Sequence, residues 1–362
     1  MKNPNSQNSQ AKIIIPDIAV IGAGISGLVC AQRLRPAGYS VVVVEKSRGM
    51  GGRVATCRLQ GSCADHGACY VQPKGELLSK FVDLLQSCQI LEVWTGAVEE
   101  FSVSEGISQS TNRSPCYIAP AGMSAIAKFM TPGLDISLTQ RVININLTPE
   151  NTWLLTLETN AQLTAKAIVV EIRAPQAEDL LAPLGKGLLG AGFLDSLHSV
   201  KFNTCISILD TQPLPNWKAL TFHDHANLAW IGFDSNKHIQ AEEPYFTVQS
   251  SVSLAQQQIE TQELQSVGNY ILQKAAENLA IPWLKNPECM QVHRWRCAFP
   301  HTTLDVTCLS AKTPLHLVSC GDWCGGNLVG GAMVSGLAAA VEIDRQLRNL
   351  LPENIDFLEK FV

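Results

Sequence analysis

The chain has 362 residues, 46% of them apolar and 16% charged, with a net charge of −5. That length admits two domains and a sizeable core, and the composition is not that of a disordered chain. Arg and Lys are scattered, with no basic run or aromatic-interleaved basic stripe, which argues against a nucleic-acid binder.

Residues 1–11 are rich in Asn, Ser and Gln. They are expected to be a disordered tail, since they lack the apolar core of a secretory signal. No apolar run approaches the roughly 18 residues of a membrane span. Of the twelve cysteines, Cys30, Cys205, Cys297 and Cys320 lie in apolar runs, and no Cys-x-x-Cys pair occurs. Such cysteines act as small hydrophobes, so a soluble protein of the reducing cytoplasm is expected.

Ile13 to Ile21 is nearly all apolar, as in a parallel strand buried on both faces. It runs into Gly22-Ala23-Gly24-Ile25-Ser26-Gly27. Leu28, Cys30, Ala31 and Leu34 then recur at helical spacing until Pro36 and Gly38. Val41 to Val44 follows as a second strand, closed by Glu45. Together these form a right-handed β-α-β unit. Gly22 permits the sharp turn, Gly24 the close approach of a pyrophosphate, and Gly27 the packing of helix on strand. The pyrophosphate meets the free N–H groups of the helix, and Glu45 is placed for ribose hydroxyls. The next loop, Lys46-Ser47-Arg48-Gly49-Met50-Gly51-Gly52-Arg53, suits a second wrap around phosphate. That loop favours FAD over NAD.

Three strands are predicted in mid-chain, Ile136 to Leu147, Thr152 to Thr159 and Leu163 to Ile172, as a β-meander. Farther on, Leu180 to Leu197 and Ser253 to Leu279 read as helical. Phe202 to Leu209, Leu228 to Phe233 and Tyr245 to Val248 read as strands. The last region returns to dinucleotide chemistry. A strand over Leu315 to Ser319 leads into Gly321-Asp322-Trp323, and glycines up to Gly336 open a final helix. The expected fold is α/β: a Rossmann-type FAD-binding domain assembled from residues 12–72, 120–175 and 288–348. A second, α+β substrate domain is expected from residues 73–119 and 176–287.

From about Asp17 to Leu347 the chain resembles the renalase-like branch of the flavin amine oxidase superfamily. The resemblance rests on Asp17-Ile-Ala-Val-Ile-Gly-Ala-Gly24, Val44-Glu-Lys-Ser-Arg-Gly-Met-Gly-Gly-Arg53 and Asp65-His-Gly-Ala68. It continues through Gly122-Met-Ser-Ala125, Ala174-Pro-Gln-Ala177, His293-Arg-Trp-Arg296 and Gly321-Asp-Trp-Cys324. It implies a p-hydroxybenzoate hydroxylase-like fold with non-covalent FAD. It also implies hydride transfer from misreduced dihydro isomers of NAD(P) to flavin N5, and reoxidation by O2 to hydrogen peroxide. The chain departs from the family at Cys69-Tyr70-Val71-Gln72-Pro73 and at Glu171-Ile172-Arg173, where relatives carry small apolar residues. Where amine oxidases often carry a lysine near N5, this chain has Thr204, with Lys201 nearby.

The expected cofactor-binding residues come from four places. The first unit gives Gly22, Gly24, Ile25, Ser26, Gly27 and Glu45, and the second loop gives Lys46, Gly51, Gly52 and Arg53. Val142 comes from the meander, and Gly321, Asp322, Gly331 and Ala332 from the last region. His66, Arg294, Arg296 and Trp323 are expected at the reacting end, with His293 and Trp295 as further candidates. His223-Asp224-His225 has no companion ligands, and no metal is expected. Three readings remain open: oxidation of a reduced pyridine dinucleotide, oxidation of an amine or small apolar donor, and flavin binding without turnover. The amine reading predicts an aromatic-walled pocket, which an aromatic content of 6% does not favour.

Overall fold

The computed structural model describes residues 15–59, 62–110, 113–211, 217–237, 245–312, 315–326, 328–352 and 356–361. The expected N-terminal tail lies outside them. Strand β1 (Ile18–Ile21) is buried along its whole length, and helix α1 (Ile25–Leu34) buries Leu28, Val29, Cys30, Ala31 and Leu34. The helix ends where Pro36 enters a 3-10 turn and Gly38 turns left-handed at φ +92°. Strand β2 (Val41–Val44) lies parallel to β1, with Ile18 opposite Val41.

These elements begin a six-stranded sheet. Its order is Leu309–Ser310, His316–Ser319, Ala167–Val170, β1, β2, Asp135–Ser137, and all pairs are parallel except the first. The chain leaves β1 for opposite sides, to β2 and to the 167–170 strand. This switch point opens the crevice at the carboxyl ends of the strands where such sheets bind ligands. The fold is thus the Rossmann-like α/β class expected.

Two predicted strands divide. Ile136 to Leu147 is not one strand: Asp135–Ser137 joins the parallel sheet beside β2, and Val142–Leu147 starts the three-stranded meander. The chain turns between them at Thr139, φ +55°. Leu163 to Ile172 also breaks. Gln162–Ala165 closes the meander, and Ala167–Val170 is a fully buried strand of the parallel sheet. At the break, Lys166 turns out to pair with Asp17 at 2.9 Å. Glu171, Ile172 and Arg173 therefore lie at the mouth of the crevice.

A second sheet has seven strands, ordered Gln291–Thr302, Lys201–Thr211, Tyr245–Ser250, Leu228–Phe233, Ala219–Phe222, Glu99–Ser102 and Gly106–Ser108. Helix Leu264–Leu279 buries Val267, Ile271, Leu272 and Ala275 in the core beneath it. The two long predicted helices are interrupted. Leu180 to Leu197 falls in three pieces, Ala174–Leu181, Gly185–Leu189 and Phe193–Ser199, separated at left-handed glycines 185, 190 and 192. Ser253 to Leu279 is Val252–Gln258 and Leu264–Leu279.

Candidate active site

Gly22 has φ +112°, and a Cβ there would stand 2.0 Å from the Glu171 carbonyl oxygen, so only glycine fits. The Glu45 carboxylate, at the tip of β2, accepts the N–H groups of Ala23 and Ser47, each at 2.8 Å. The second glycine loop folds onto the first: Gly51 N–H donates to the Ala23 carbonyl at 2.7 Å. A Cβ on Gly52 would lie only 3.5 Å from Gly24 Cα. Arg53 then reaches across to the last parallel strand. Both of its terminal nitrogens donate to the buried Asp322 carboxylate at 2.6 Å. This paired contact ties the N-terminal loop to the C-terminal turn.

A cavity of about 1620 Å³ runs from these loops to the seven-stranded sheet. Ligand pockets usually hold about 300–1,000 Å³, so there is space for a dinucleotide and a second small molecule. The far wall holds rings: Tyr70, Trp230, His66, His293, Trp295 and Phe299. His66 and His293 stack with centroids 4.2 Å apart and planes 7° apart, and Trp295 lies 5.3 Å from His66. Burial and the neighbouring His293 push His66 down to about 4, and burial also lowers His293. Both imidazoles are neutral at ordinary pH.

Behind Trp230 lies a buried ion cluster. Lys237 pairs with Asp234 at 2.7 Å and approaches Asp65 to 3.9 Å, under the rings of Trp94 and Trp230. Burial disfavours the Lys237 charge, but Asp234 more than reverses this and raises the lysine above its ordinary value. Asp65 in turn accepts from Thr56 and from Met123 N–H, which fixes the turn that carries His66.

The structure sorts the predicted site residues. Gly22, Gly24, Ile25, Glu45, Lys46, Gly51, Gly52, Arg53, Val142, Gly321, Asp322 and Ala332 line the cavity, as does His66. Ser26, Gly27 and Gly331 do not. Ser26 donates to the Ala332 carbonyl at 2.6 Å where α1 meets the last helix, Leu328–Leu347. Gly27 and Gly331 permit close backbone packing, on Gly22 and Gly326 respectively. Trp323 touches the lining but is buried, its indole N–H held by the Ile172 carbonyl at 3.1 Å.

Arg294 and Arg296 are corrected. They lie within the strand Gln291–Thr302, and a strand turns alternate residues to opposite faces. His293 and Trp295 face the cavity. Arg294 donates to the Thr261 carbonyl at 2.6 Å and Arg296 pairs with Glu260, both away from the lining. Lys201 is exposed and donates to the His198 carbonyl, so it does not supply a lysine to the cavity. Tyr70, Trp230, Gln249, Glu171 and Arg173 are cavity residues that the sequence did not assign to the site. For Glu171 and Arg173 the signal was present, as charge at a strand end where relatives are apolar.

The aromatic wall overturns the expectation drawn from the low aromatic content. The rings are few, and they are gathered here. The cavity is also basic: Lys46, Arg53, Arg141 and Arg173 line it, and so do Arg58, Lys74 and Lys128. Of its acidic residues, Glu45, Glu171 and Asp322 follow strands of the parallel sheet and Asp179 lies in the helix Ala174–Leu181; none is among the rings that line the cavity.

The residues fit FAD on two counts: the glycine loops leave backbone space that a Cβ would fill, and the cavity has the volume and charge for a phosphate-bearing ligand. One feature opposes it. Oε2 of Glu171 accepts the Gly24 N–H at 2.9 Å, in the place of a phosphate oxygen.

Comparison with known proteins agrees with this geometry. Residues 20–85 match the NAD(P)-binding Rossmann-like domain. Over 102 residues the chain is 29% identical to 4,4'-diapophytoene desaturase of Staphylococcus haemolyticus, covering 25% of this chain and 20% of that protein. Over 60 residues it is 45% identical to polyamine oxidase 1 of Oryza sativa subsp. japonica, covering 16% and 12%. The matched stretches thus span a fifth or less of these relatives. Putrescine oxidase bound to putrescine has the same fold, with a TM-score of 0.67 at 15% identity over 92% of this chain and 99% of that one. A protein described as protoporphyrinogen oxidase from Exiguobacterium gives a TM-score of 0.64 at 11% identity, over 91% and 99%. Residues 104–344, more than half of the chain, match the family of flavin containing amine oxidoreductases. The chain belongs to that family.

Proposed function

We propose that this protein is an oxidase of a flat, phosphate-bearing donor, a misreduced dihydro-NAD(P), with O2 as the electron acceptor. The observation that carries this reading is the charge of the cavity. Basic residues continue beyond the dinucleotide loops to Arg58, Lys74 and Lys128, and no carboxylate lines the ring end among the described residues, those of Asp65 and Asp234 being buried behind it with Lys237. Such a field attracts phosphate and repels an ammonium ion.

Bound FAD supplies a two-electron acceptor that O2 can regenerate. The protein's part is position and exclusion of water. Tyr70, Trp230 and the stacked His66 and His293 offer flat surfaces against which a dihydropyridine ring lies. The Gln249 amide lies on the same wall, held by a hydrogen bond to the Gly67 carbonyl at 3.0 Å. No proton must leave a dihydropyridine together with its hydride. The absence of a charged acid–base group at this wall therefore suits the reaction, and the neutral imidazoles suit an uncharged ring. The remaining site residues keep the roles expected of them: the glycine loops, Glu45, Arg53 and Asp322 hold the cofactor.

A second reading, oxidation of a small apolar amine, draws on the aromatic wall and on family membership. Peroxide release separates the two. With 2- or 6-dihydro-NAD(P), turnover is expected to exceed that with putrescine or benzylamine by at least about tenfold, a difference of about 1.4 kcal/mol in transition-state binding. Peroxide formation with amines alone would reverse the assignment.

A further inference from the structure

In a glycine turn such as Gly22–Gly27, a pyrophosphate is received by the first N–H groups of the following helix. In this chain the place before those groups is already taken by a side-chain carboxyl. Glu171 Oε2 lies 2.9 Å from Gly24 N. A Cβ built on Gly24 would stand 2.5 Å from Glu171 Oε1, and one on Gly27 would stand 3.2 Å from Oε2. The carboxylate thus fills the close-approach space over the glycines. α1 has no acidic residue in its first turn and no side-chain cap, and the acidic side chains at its start are Glu45, on the Ala23 N–H, and Glu171, on the Gly24 N–H. The backbone at Glu171 is held independently, its N–H donating to the Ile21 carbonyl at 2.8 Å, so the side chain can leave without disturbing the sheet.

We propose that Glu171 is a built-in competitor for the pyrophosphate of FAD, which seats only when this side chain has turned out of the glycine cradle, a move that the neutral carboxyl makes more readily than the ionised one. The proposal rests on FAD occupying this cavity.

The groups around Glu171 set the conditions. Glu45 faces it from the end of β2 and Asp322 from the turn after the 316–319 strand. Arg53 comes from the second glycine loop, and Cys30 and Cys320 from α1 and the last strand. Arg53 is already committed to Asp322. Burial, helped by Glu45, pushes the Glu171 carboxyl up to about 8, against the lowering effect of the Gly24 N–H. Arg173, two residues on and within electrostatic reach of Glu171, has a buried Nε without a hydrogen-bond partner, and it offers a displaced carboxylate a counter-ion. An arriving pyrophosphate disfavours the ionised carboxylate further. FAD binding therefore takes up a proton above pH 8. Below pH 8 the carboxyl is already neutral and contributes no pH dependence; above it, affinity falls by up to about tenfold per pH unit.

The test is the FAD dissociation constant from pH 6.5 to 9.5, read from the fluorescence of FAD released on diluting the loaded full-length chain. Wild type, Glu171→Gln and Glu171→Ala are compared, with circular dichroism to verify folding. The wild type is expected to weaken about tenfold between pH 8 and 9. Glu171→Gln is isosteric and should stay flat, binding at least about tenfold tighter than wild type at pH 9. Parallel profiles, or weaker binding by both variants at every pH, would overturn the role of Glu171 while leaving FAD in place. Failure of wild type and both variants to bind FAD at any pH would overturn the cofactor's place in this cavity and the proposal with it.

Discussion

His293 and Trp295 face the cavity, while Arg294 and Arg296, their chain neighbours, hold the 259–263 segment on the other side of the sheet. The sequence marked the four-residue block but not its face, because no strand was assigned to it and the alternation of a strand was not applied. Glu171 shows a different limit. A charge at a strand end is visible in the sequence, but whether it meets solvent or a helix terminus depends on the sheet order. The stacked imidazoles carry a prediction of their own. His66 is depressed to about 4 by burial and by His293, whereas in the unfolded chain it titrates near 6.5. The unfolded state therefore takes up a proton first. The stabilising contribution is complete above pH 6.5 and is lost as the pH falls toward 4, by at most about 1.4 kcal/mol per pH unit. Thermal unfolding of wild type should fall between pH 6.5 and 4.5 more steeply than that of His66→Asn. Parallel slopes would show that His66 is not buried in its neutral form.

At the scale of elements, the glycine turn, α1, β2 and the strand before Gly321-Asp322 were legible, since each has a local chemical reason: a continuous apolar run, a helical stripe, a glycine that no other residue replaces. One misjudged boundary fell where two strands of different sheets follow each other without a loop. Ala165 and Ala167 are separated only by Lys166, and the clue is a change from a half-exposed run, Gln162–Ala165, to a fully buried one, Ala167–Val170. Another element contact follows from a glycine the sequence treated only as a helix opener. A Cβ on Gly336 would lie 2.3 Å from the Ser26 carbonyl oxygen, so the last helix rests directly on the backbone of α1. Gly336→Val should cost about 1–3 kcal/mol in urea unfolding by forcing these helices apart. FAD affinity should weaken with it, since α1 carries the cradle. An unchanged midpoint would mean that the two helices do not pack at this distance.

At the scale of the whole molecule, the fold class, the assembly of the parallel sheet from distant segments and the identity of the cofactor could be read from motif spacing. The character of the substrate end could not. An aromatic fraction is an average over the chain, whereas a pocket depends on where a few rings converge: Tyr70, Trp230 and Trp295 come from segments far apart in sequence. The positive charge of the cavity is hidden in the same way, because a net charge of −5 says nothing about its distribution. No helix among the described residues is long and apolar enough to cross a membrane. Both sheets thus converge on one cavity, with the two glycine loops at one end and neutral rings at the other.

That arrangement is tested most directly by the visible absorbance of the purified, FAD-loaded protein under anaerobic conditions as donors are added. The account predicts that 2- or 6-dihydro-NAD(P) bleaches the flavin band in proportion to the amount added, that ordinary NADH and amines do so far more slowly, and that admitting O2 restores the band. A flavin band that no dihydro-NAD(P) isomer bleaches, or that only an amine bleaches, would contradict it.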